Sequence, residues 1–404
     1  MIVYSGLKSD FLTAVVEDSI AAEIEANIYN KMHRRSAQSE FRSWENSLEY
    51  MYKVLNDEAI PLNSGIAIEY NIPQTSKRVD FIISGYGENK DPNVVIIELK
   101  QWDKVDTIDG QDALVETYTG GAVRKVLHPS YQAWSYAAMI YDYNQNVQLE
   151  NIVLHPCAYM HNYRKTNPEK LEENQYKKYV DDAPIFGRGE VSKLREFIKK
   201  SVKTGDDKQL LYDIDNGKIK PSKSLQDSIK SMIEGNQEFI MLDEQKVVYE
   251  EILSKSLECM ADKKKRTVIV KGGPGTGKTV VAINLLAKLT NEGLFVQYTS
   301  KNSAPRNVYA KKLTGHKKSS ISNMFKGAGS YIDAEASIVD TIICDEGHRL
   351  TAKTQLGPKI AGDNQIKEII NSSLCSVFFI DESQRVTLKD IGTVNENKKW
   401  ADQL

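Results

Sequence analysis

The stretch Thr267-Val-Ile-Val-Lys-Gly-Gly-Pro-Gly-Thr-Gly-Lys-Thr279 decides the fold of the second half of this 404-residue chain. A short apolar strand, Thr267–Val270, leads into G-x-x-x-x-G-K-T, which runs from Gly272 to Thr279. Behind it Val280, Val281, Ile283, Leu285, Leu286 and Leu289 recur at helical spacing. Glycines let backbone amides approach phosphate oxygens, and the helix N-terminus adds partial positive charge. Gly272, Gly273, Pro274, Gly275, Thr276 and Gly277 are therefore expected to cradle nucleotide phosphates. Lys278 is expected to reach the β- and γ-phosphates, and the Thr279 hydroxyl to coordinate Mg²⁺.

Outward from this loop, apolar strands alternate with amphipathic helices from about residue 236 onward, the pattern of a parallel α/β sheet. Ser337-Ile-Val-Asp-Thr-Ile-Ile-Cys-Asp345-Glu346-Gly-His348 reads as a strand ending in two acids. Asp345 is expected to hold Mg²⁺ through its outer shell, and Glu346 to orient and deprotonate an attacking water. Ser376-Val-Phe-Phe-Ile-Asp381-Glu-Ser-Gln384 is another buried strand, whose Gln384 is placed to sense the γ-phosphate. Leu294-Phe-Val-Gln-Tyr-Thr-Ser-Lys-Asn302 ends in Thr299, Ser300, Lys301 and Asn302, donors suited to a phosphate backbone. Gln245, about thirty residues before the loop, reads either as an adenine contact or as a solvated helix residue.

In this order, these motifs resemble those of superfamily 1 helicases, and more closely the Schlafen group 3-like DNA/RNA helicase domain. The resemblance implies ATP as cofactor with Mg²⁺, a RecA-like domain and a nucleic-acid partner, DNA more than RNA. Where the family shows Asp-Glu-Ala-His, this chain has Asp345-Glu-Gly-His348, and Gly347 is expected to loosen the turn. Such motors use a second RecA-like domain and an arginine finger, worth ~10³–10⁵ in rate. Residues 1–404 hold no such half, so the chain reads as truncated after the first RecA-like domain. An oligomer or a separate polypeptide would supply the rest.

Residues 1–165 carry a second chemistry. Arg78-Val-Asp80-Phe-Ile-Ile-Ser84 and Val94-Val-Ile-Ile-Glu98-Leu-Lys100 read as two strands, and Glu98 and Lys100 share one strand face. Asp80 and Glu98 are expected to clamp Mg²⁺ (or Mn²⁺) on a scissile phosphate, with Lys100 positioning the attacking water. The triplet alone is weak, since Glu88-Asn-Lys90, Asp206-Asp-Lys208, Glu244-Gln-Lys246 and Glu396-Asn-Lys398 also match. Only Glu98 closes a buried-looking strand behind an acidic one. Gln132 and Tyr136, four apart, share a helical face.

This arrangement resembles the PD-(D/E)XK nucleases, and the Gln132–Tyr136 spacing their RecB-type branch. The resemblance implies a further Glu from an upstream helix. Glu40, Glu45 and Glu49 are the candidates, and the Ser39-Glu-Phe-Arg-Ser-Trp44 block favours Glu40. Thr75-Ser-Lys-Arg78 reads as a phosphate contact or as an exposed basic turn, and His128, His155 and His161 as loop or surface residues.

The sequence thus divides into a nuclease-like mixed-sheet domain (1–165), a lysine-rich helical connector (166–235) and a RecA-like P-loop domain (236–404). The fold class is α/β. Lys+Arg 53 against Asp+Glu 55 gives a net charge of −2, which excludes a histone-like polycation but not a local basic groove. Four scattered cysteines without a CxxC pair suggest no disulfide framework and fit a reducing cytoplasm. With no signal peptide and no run of ~18 apolar residues, a membrane partner is not expected. The function expected is an ATP-dependent nuclease–helicase, with defence against foreign DNA implied by the resemblance. The alternatives are a nucleotide-gated nucleic-acid-binding regulator or a remnant without cleavage activity.

Overall fold

The computed structural model describes residues 1–404 except 74, 76, 167, 168, 219–239, 302–323, 357, 358, 386 and 388. The chain divides into two compact units, Met1–Ser222 and Lys223–Leu404.

The first unit opens with β1 (Ile2–Leu7), α1 (Lys8–Val16), α2 (Ile20–Met32) and α3 (Gln38–Leu55). Then come β2 (Gly65–Asn71), β3 (Arg78–Tyr86) and β4 (Pro92–Lys100), a small sheet of β5 (Asp106–Thr107), β6 (Leu114–Thr119) and β7 (Ala122–Leu127), and α4 (Pro129–Tyr143). It continues through α5 (Gln145–Leu149), β8 (Val153–Met160), α6 (Lys177–Val180), β9 (Ile185–Gly187), α7 (Val191–Ser201) and α8 (Gln209–Asp215). The main sheet runs β1-β2-β3-β4-β8-β9, antiparallel through β4 and parallel from β4 to β9. Its strand β4 is a nearly continuous β-branched run, because it is central and covered on both faces. Phe11, Ile24, Ile28, Trp44, Leu48 and Met51 from α1–α3 pack against Phe81, Ile83, Val95 and Ile97 on one face. Helix α4 packs against β4 and β8. A parallel pair needs a crossover, and α4 supplies it.

Residues 166–218, expected as a connector, are built into this first unit. Strand β9 extends the main sheet and α7 packs on α3. Asp206 accepts hydrogen bonds from Gly65 N (2.9 Å) and from the Ser84 hydroxyl (2.8 Å). Leu194, Ile198, Leu210 and Leu211 are buried, so the lysines form the solvated face of packed amphipathic helices rather than a spacer. The remainder of the expected connector, 219–235, lies outside the described residues.

The second unit holds α9 (Glu244–Asp262), β10 (Arg266–Lys271), α10 (Lys278–Asn291), β11 (Val296–Ser300), β12 (Phe325–Gly327) and β13 (Val339–Cys344). A short antiparallel pair follows, β14 (Thr354–Leu356) with β15 (Lys359–Ala361), then α11 (Gln365–Ser372), β16 (Ser373–Ile380) and α12 (Val394–Ala401). The five-stranded sheet is parallel throughout, in the order β10-β16-β13-β11-β12. Helices α9 and α10 cover one face, and α11 with Trp400 of α12 the other. The carboxyl ends of β10, β13, β16 and β11 run into Gly272, Asp345, Asp381 and Lys301, the end where parallel sheets place their ligands.

Candidate active sites

In the first unit, the β3–β4 ladder pairs as far as Phe81–Ile97 and then ends. Where the strands part, Asp80 Oδ2 accepts from the Leu99 amide at 2.8 Å. Glu98 is 2% exposed, and its Oε1 lies 2.7 Å from Lys100 Nζ. Burial pushes the Asp80 carboxyl above the usual range, against the pull of the Lys100 charge, the Leu99 amide and a hydrogen bond with Glu98. Asp80, Glu98 and Lys100 are thus brought together as expected. Among the described residues, no group of three or more His, Cys, Asp or Glu side chains is arranged to hold a metal. Two carboxylates nevertheless suit Mg²⁺, which commonly takes one or two from protein and fills its shell with water and phosphate.

Glu40, in the first turn of α3, lines the same cavity as Asp80 and is held there by an arginine. Its Oε1 accepts from Arg78 Nη2 at 2.6 Å, while Arg78 Nη1 lies 2.7 Å from Glu69 Oε2. Arg78 is therefore half-buried between two acids rather than part of an exposed basic turn; Ser76 of that turn lies outside the described residues. Glu40, Glu69, Arg78, Lys77, Asp80 and Trp44 line a cavity of about 340 Å³. Sequence reading missed Glu69. The signal was a lone acid inside the apolar run Gly65-Ile-Ala-Ile-Glu-Tyr70. Burial, and next the Asp80 charge, push Glu69 up to about 7 against Arg78 and the Trp44 hydrogen bond.

Gln132 Nε2 donates to Tyr136 OH at 2.9 Å, so the pair does share a face of α4. Because β4 and β8 are parallel and joined through α4, the helix starts at the sheet end that carries Glu98 and Lys100. His128 and His161 are fully buried, contrary to their reading as surface residues. His128 stacks on Tyr176 at 4.3 Å and its Nε2 lies 3.0 Å from Leu171 O. His161 stacks on Tyr50 at 4.2 Å, with Nε2 3.1 Å from Ser47 Oγ. Each ring fills an aromatic gap and has a polar neighbour, which a loop-composition reading does not register.

In the second unit, the loop from Gly272 turns into α10 at Gly277, whose φ is 79°. A Cβ there would also press on Gln245 Nε2, the movable end of a side chain, so the positive φ is the main reason for glycine. Lys278 Nζ donates to Gly272 O (2.9 Å) and Gly273 O (2.7 Å) and lies 3.7 Å from Asp381 Oδ2. Thr279 Oγ1 donates to Asp345 Oδ2 at 2.8 Å, joining the loop to the acidic strand end. Glu346 sits in the left-handed region (φ 54°), strain of a kind found at functional positions. His348 Nδ1 accepts from Asp381 N at 3.2 Å, and its Nε2 is 3.1 Å from Glu346 Oε2 without hydrogen-bond alignment. Burial lowers the His348 pKa, against the pull of Glu346 and Asp381. Gly347 does not loosen this turn as expected. It is buried, and its carbonyl stands where a Cβ on Gly392 would go, so the two backbones pack directly.

Residues 265–404 match the family model of the Schlafen group 3, DNA/RNA helicase domain. No curated protein matches the chain. A helicase-like domain implies nucleic-acid binding, and no helix among the described residues is long and apolar enough to cross a membrane.

Ahead of the matched residues, Gln245 donates to Thr276 O (2.9 Å) and accepts from Leu242 N (3.2 Å), so its amide braces the Gly272–Thr279 loop. Gln384 ends the 3₁₀ turn Glu382–Gln384, which Asp381 caps by accepting from Ser383 N at 3.1 Å. Thr299 and Ser300 are buried in β11, which corrects the expectation that both would face phosphate. Strand alternation and the packing of β11 between β12 and β13 enclose them. Lys301, Ser330, Thr351, Lys353 and Lys389 line a cavity of about 940 Å³ at this sheet end. Asn302 lies outside the described residues.

Proposed function

We propose that this protein is an ATP-binding nuclease–helicase that cleaves nucleic acid with a divalent cation in its first unit. The observation that carries the reading is the convergence of Asp80, Glu98 and Lys100 where β3 and β4 part. Asp80 and Glu98 would hold the cation. Mg²⁺ or Mn²⁺, when bound, polarises the phosphate and lowers the pKa of its water. Lys100, tied to Glu98 at 2.7 Å, keeps its ammonium on the carboxylate and is positioned to orient that water. In the helicase-like domain, Gly272–Gly277 and Lys278 hold the phosphates, and Thr279 and Asp345 form the Mg²⁺ side. Glu346 is the base for hydrolysis, and the lysine-lined cavity takes the nucleic-acid backbone. Defence against foreign DNA is the role that the family resemblance supports.

The test is cleavage of single- and double-stranded DNA and RNA in Mg²⁺ or Mn²⁺, for wild type and for Lys100→Ala. Metal-dependent cleavage lost in Lys100→Ala, with cooperative melting retained, is the expected result. No cleavage of any substrate by wild type would sink the nuclease reading.

A second reading, a nucleotide-gated binder without cleavage, is favoured by the hold that Arg78 keeps on Glu40 and Glu69. It predicts nucleic-acid affinity with a steep salt slope that shifts with a non-hydrolysable ATP analogue.

A further inference from the structure

Asp345 is 3% exposed, and three donors surround its carboxylate. Thr279 Oγ1 and the Tyr298 hydroxyl both donate to Oδ2, at 2.8 and 2.6 Å, and the Glu346 amide donates to Oδ1 at 3.0 Å. A carboxylate offers about four acceptor positions, so these donors leave about one for a cation or its water. Thr279 comes from the phosphate-loop helix and Glu346 from the strand end itself, whereas Tyr298 comes from β11, which β16 and β13 separate from β10. Its ring is 1% exposed and packs against Phe325 with centroids 5.7 Å apart. A phenylalanine would fill that space as well. The hydroxyl is what reaches the acid.

We propose that Tyr298 is a positioning residue of the nucleotide site: its hydroxyl fixes the Asp345 carboxylate in the orientation that receives the Mg²⁺ of a bound nucleotide. The proposal rests on the nucleotide-binding reading of Gly272–Thr279. Without the hydroxyl, Oδ2 keeps a single donor and the carboxylate is free to rotate out of register with Thr279. A charge-assisted hydrogen bond of this kind is among the stronger ones in a protein interior.

The test is binding of a fluorescent non-hydrolysable ATP analogue to the full chain, once in Mg²⁺ and once in EDTA. Tyr298→Phe is expected to weaken binding in Mg²⁺ about ten-fold while binding in EDTA stays within about two-fold of wild type. In an Asp345→Asn background the same substitution should add nothing, because the oriented group is gone. Equal affinity in Mg²⁺ for wild type and Tyr298→Phe overturns the proposal. So does an equal loss in Mg²⁺ and EDTA, or a Tyr298→Phe chain that no longer melts cooperatively, since each makes the hydroxyl irrelevant or merely structural. If wild type binds no analogue and Lys278→Ala changes nothing, the nucleotide reading falls and this proposal falls with it.

Discussion

Trp44 donates its indole N–H to Glu69 at 2.8 Å, although strand alternation should turn Glu69 away from α3. Ile66 and Ile68 already face the α1–α3 side of the sheet. Glu69 reaches the same side because its backbone is left-handed, with φ 57° in mid-strand. The register of β2 with β1 and β3 is unchanged on either side of it. Such a conformation costs a non-glycine residue about 1–3 kcal/mol, and the Trp44 and Arg78 contacts offset it.

Glu69→Ala should therefore destabilise the first unit by about 2–4 kcal/mol, since it leaves the buried indole without an acceptor and one side of Arg78 without its counter-charge. Glu69→Val should be worse than Glu69→Asn, because a β-branched residue tolerates the left-handed backbone least. Urea unfolding followed by tryptophan fluorescence would measure both; equal losses for Val and Asn would contradict the backbone account.

His128 provides a pH dependence. Burial lowers its pKa to about 4, with the Leu171 carbonyl opposing, against 6.5 for the ordinary group. The unfolded chain takes up the proton first, so the contribution is intact above pH 6.5 and is lost as pH falls toward 4. The loss is about 3 kcal/mol across that window. His128→Phe should flatten the fall in stability between pH 6.5 and 4 relative to wild type, measured in EDTA by denaturant melts. Parallel pH profiles for the two proteins would refute it.

Gly277→Ala should weaken nucleotide binding about ten-fold or more, through a positive φ that alanine resists and a clash with Gln245. Adding Gln245→Ala removes the clash but not the backbone strain, so the double variant should stay defective. Full recovery would mean that sterics alone required the glycine.

Gly392→Ala should reach Glu346, the base of the proposed hydrolysis, from outside the Gly272–Thr279 loop. Its new methyl would occupy the place of the Gly347 carbonyl, pushing the Gly347–Arg349 turn and with it Glu346 and His348. ATP hydrolysis should fall while analogue binding at Lys278 is retained. Unchanged hydrolysis would show that the turn is not set by this contact.

Much of this was legible in the sequence for identifiable reasons. Apolar runs leading to Asp345, Asp381 and Glu98 marked strands β13, β16 and β4, because strand periodicity is a local rule. The turn from β10 into α10 was legible because its glycines at 275 and 277 take a positive φ that local geometry demands. The amphipathic helices of 166–218 were legible as helices, but their lysines obscured the buried stripe that joins them to the first unit.

What only the tertiary structure decided depends on contacts distant in the chain. Glu69 entered the acidic cavity through one residue's backbone reversal and two partners, Trp44 and Arg78, 25 positions before it and 9 after. Glu40 is tied into the same cavity by the same arginine. Tyr298 acquired an acid 47 positions away because parallel pairing sets β11 beside β13. The sequence by itself determined which elements form and which side chains stand at their ends, since those follow from short-range sterics and hydrophobic periodicity. Folding decided which side chains share each charge, because that depends on how strands are ordered and where burial removes water.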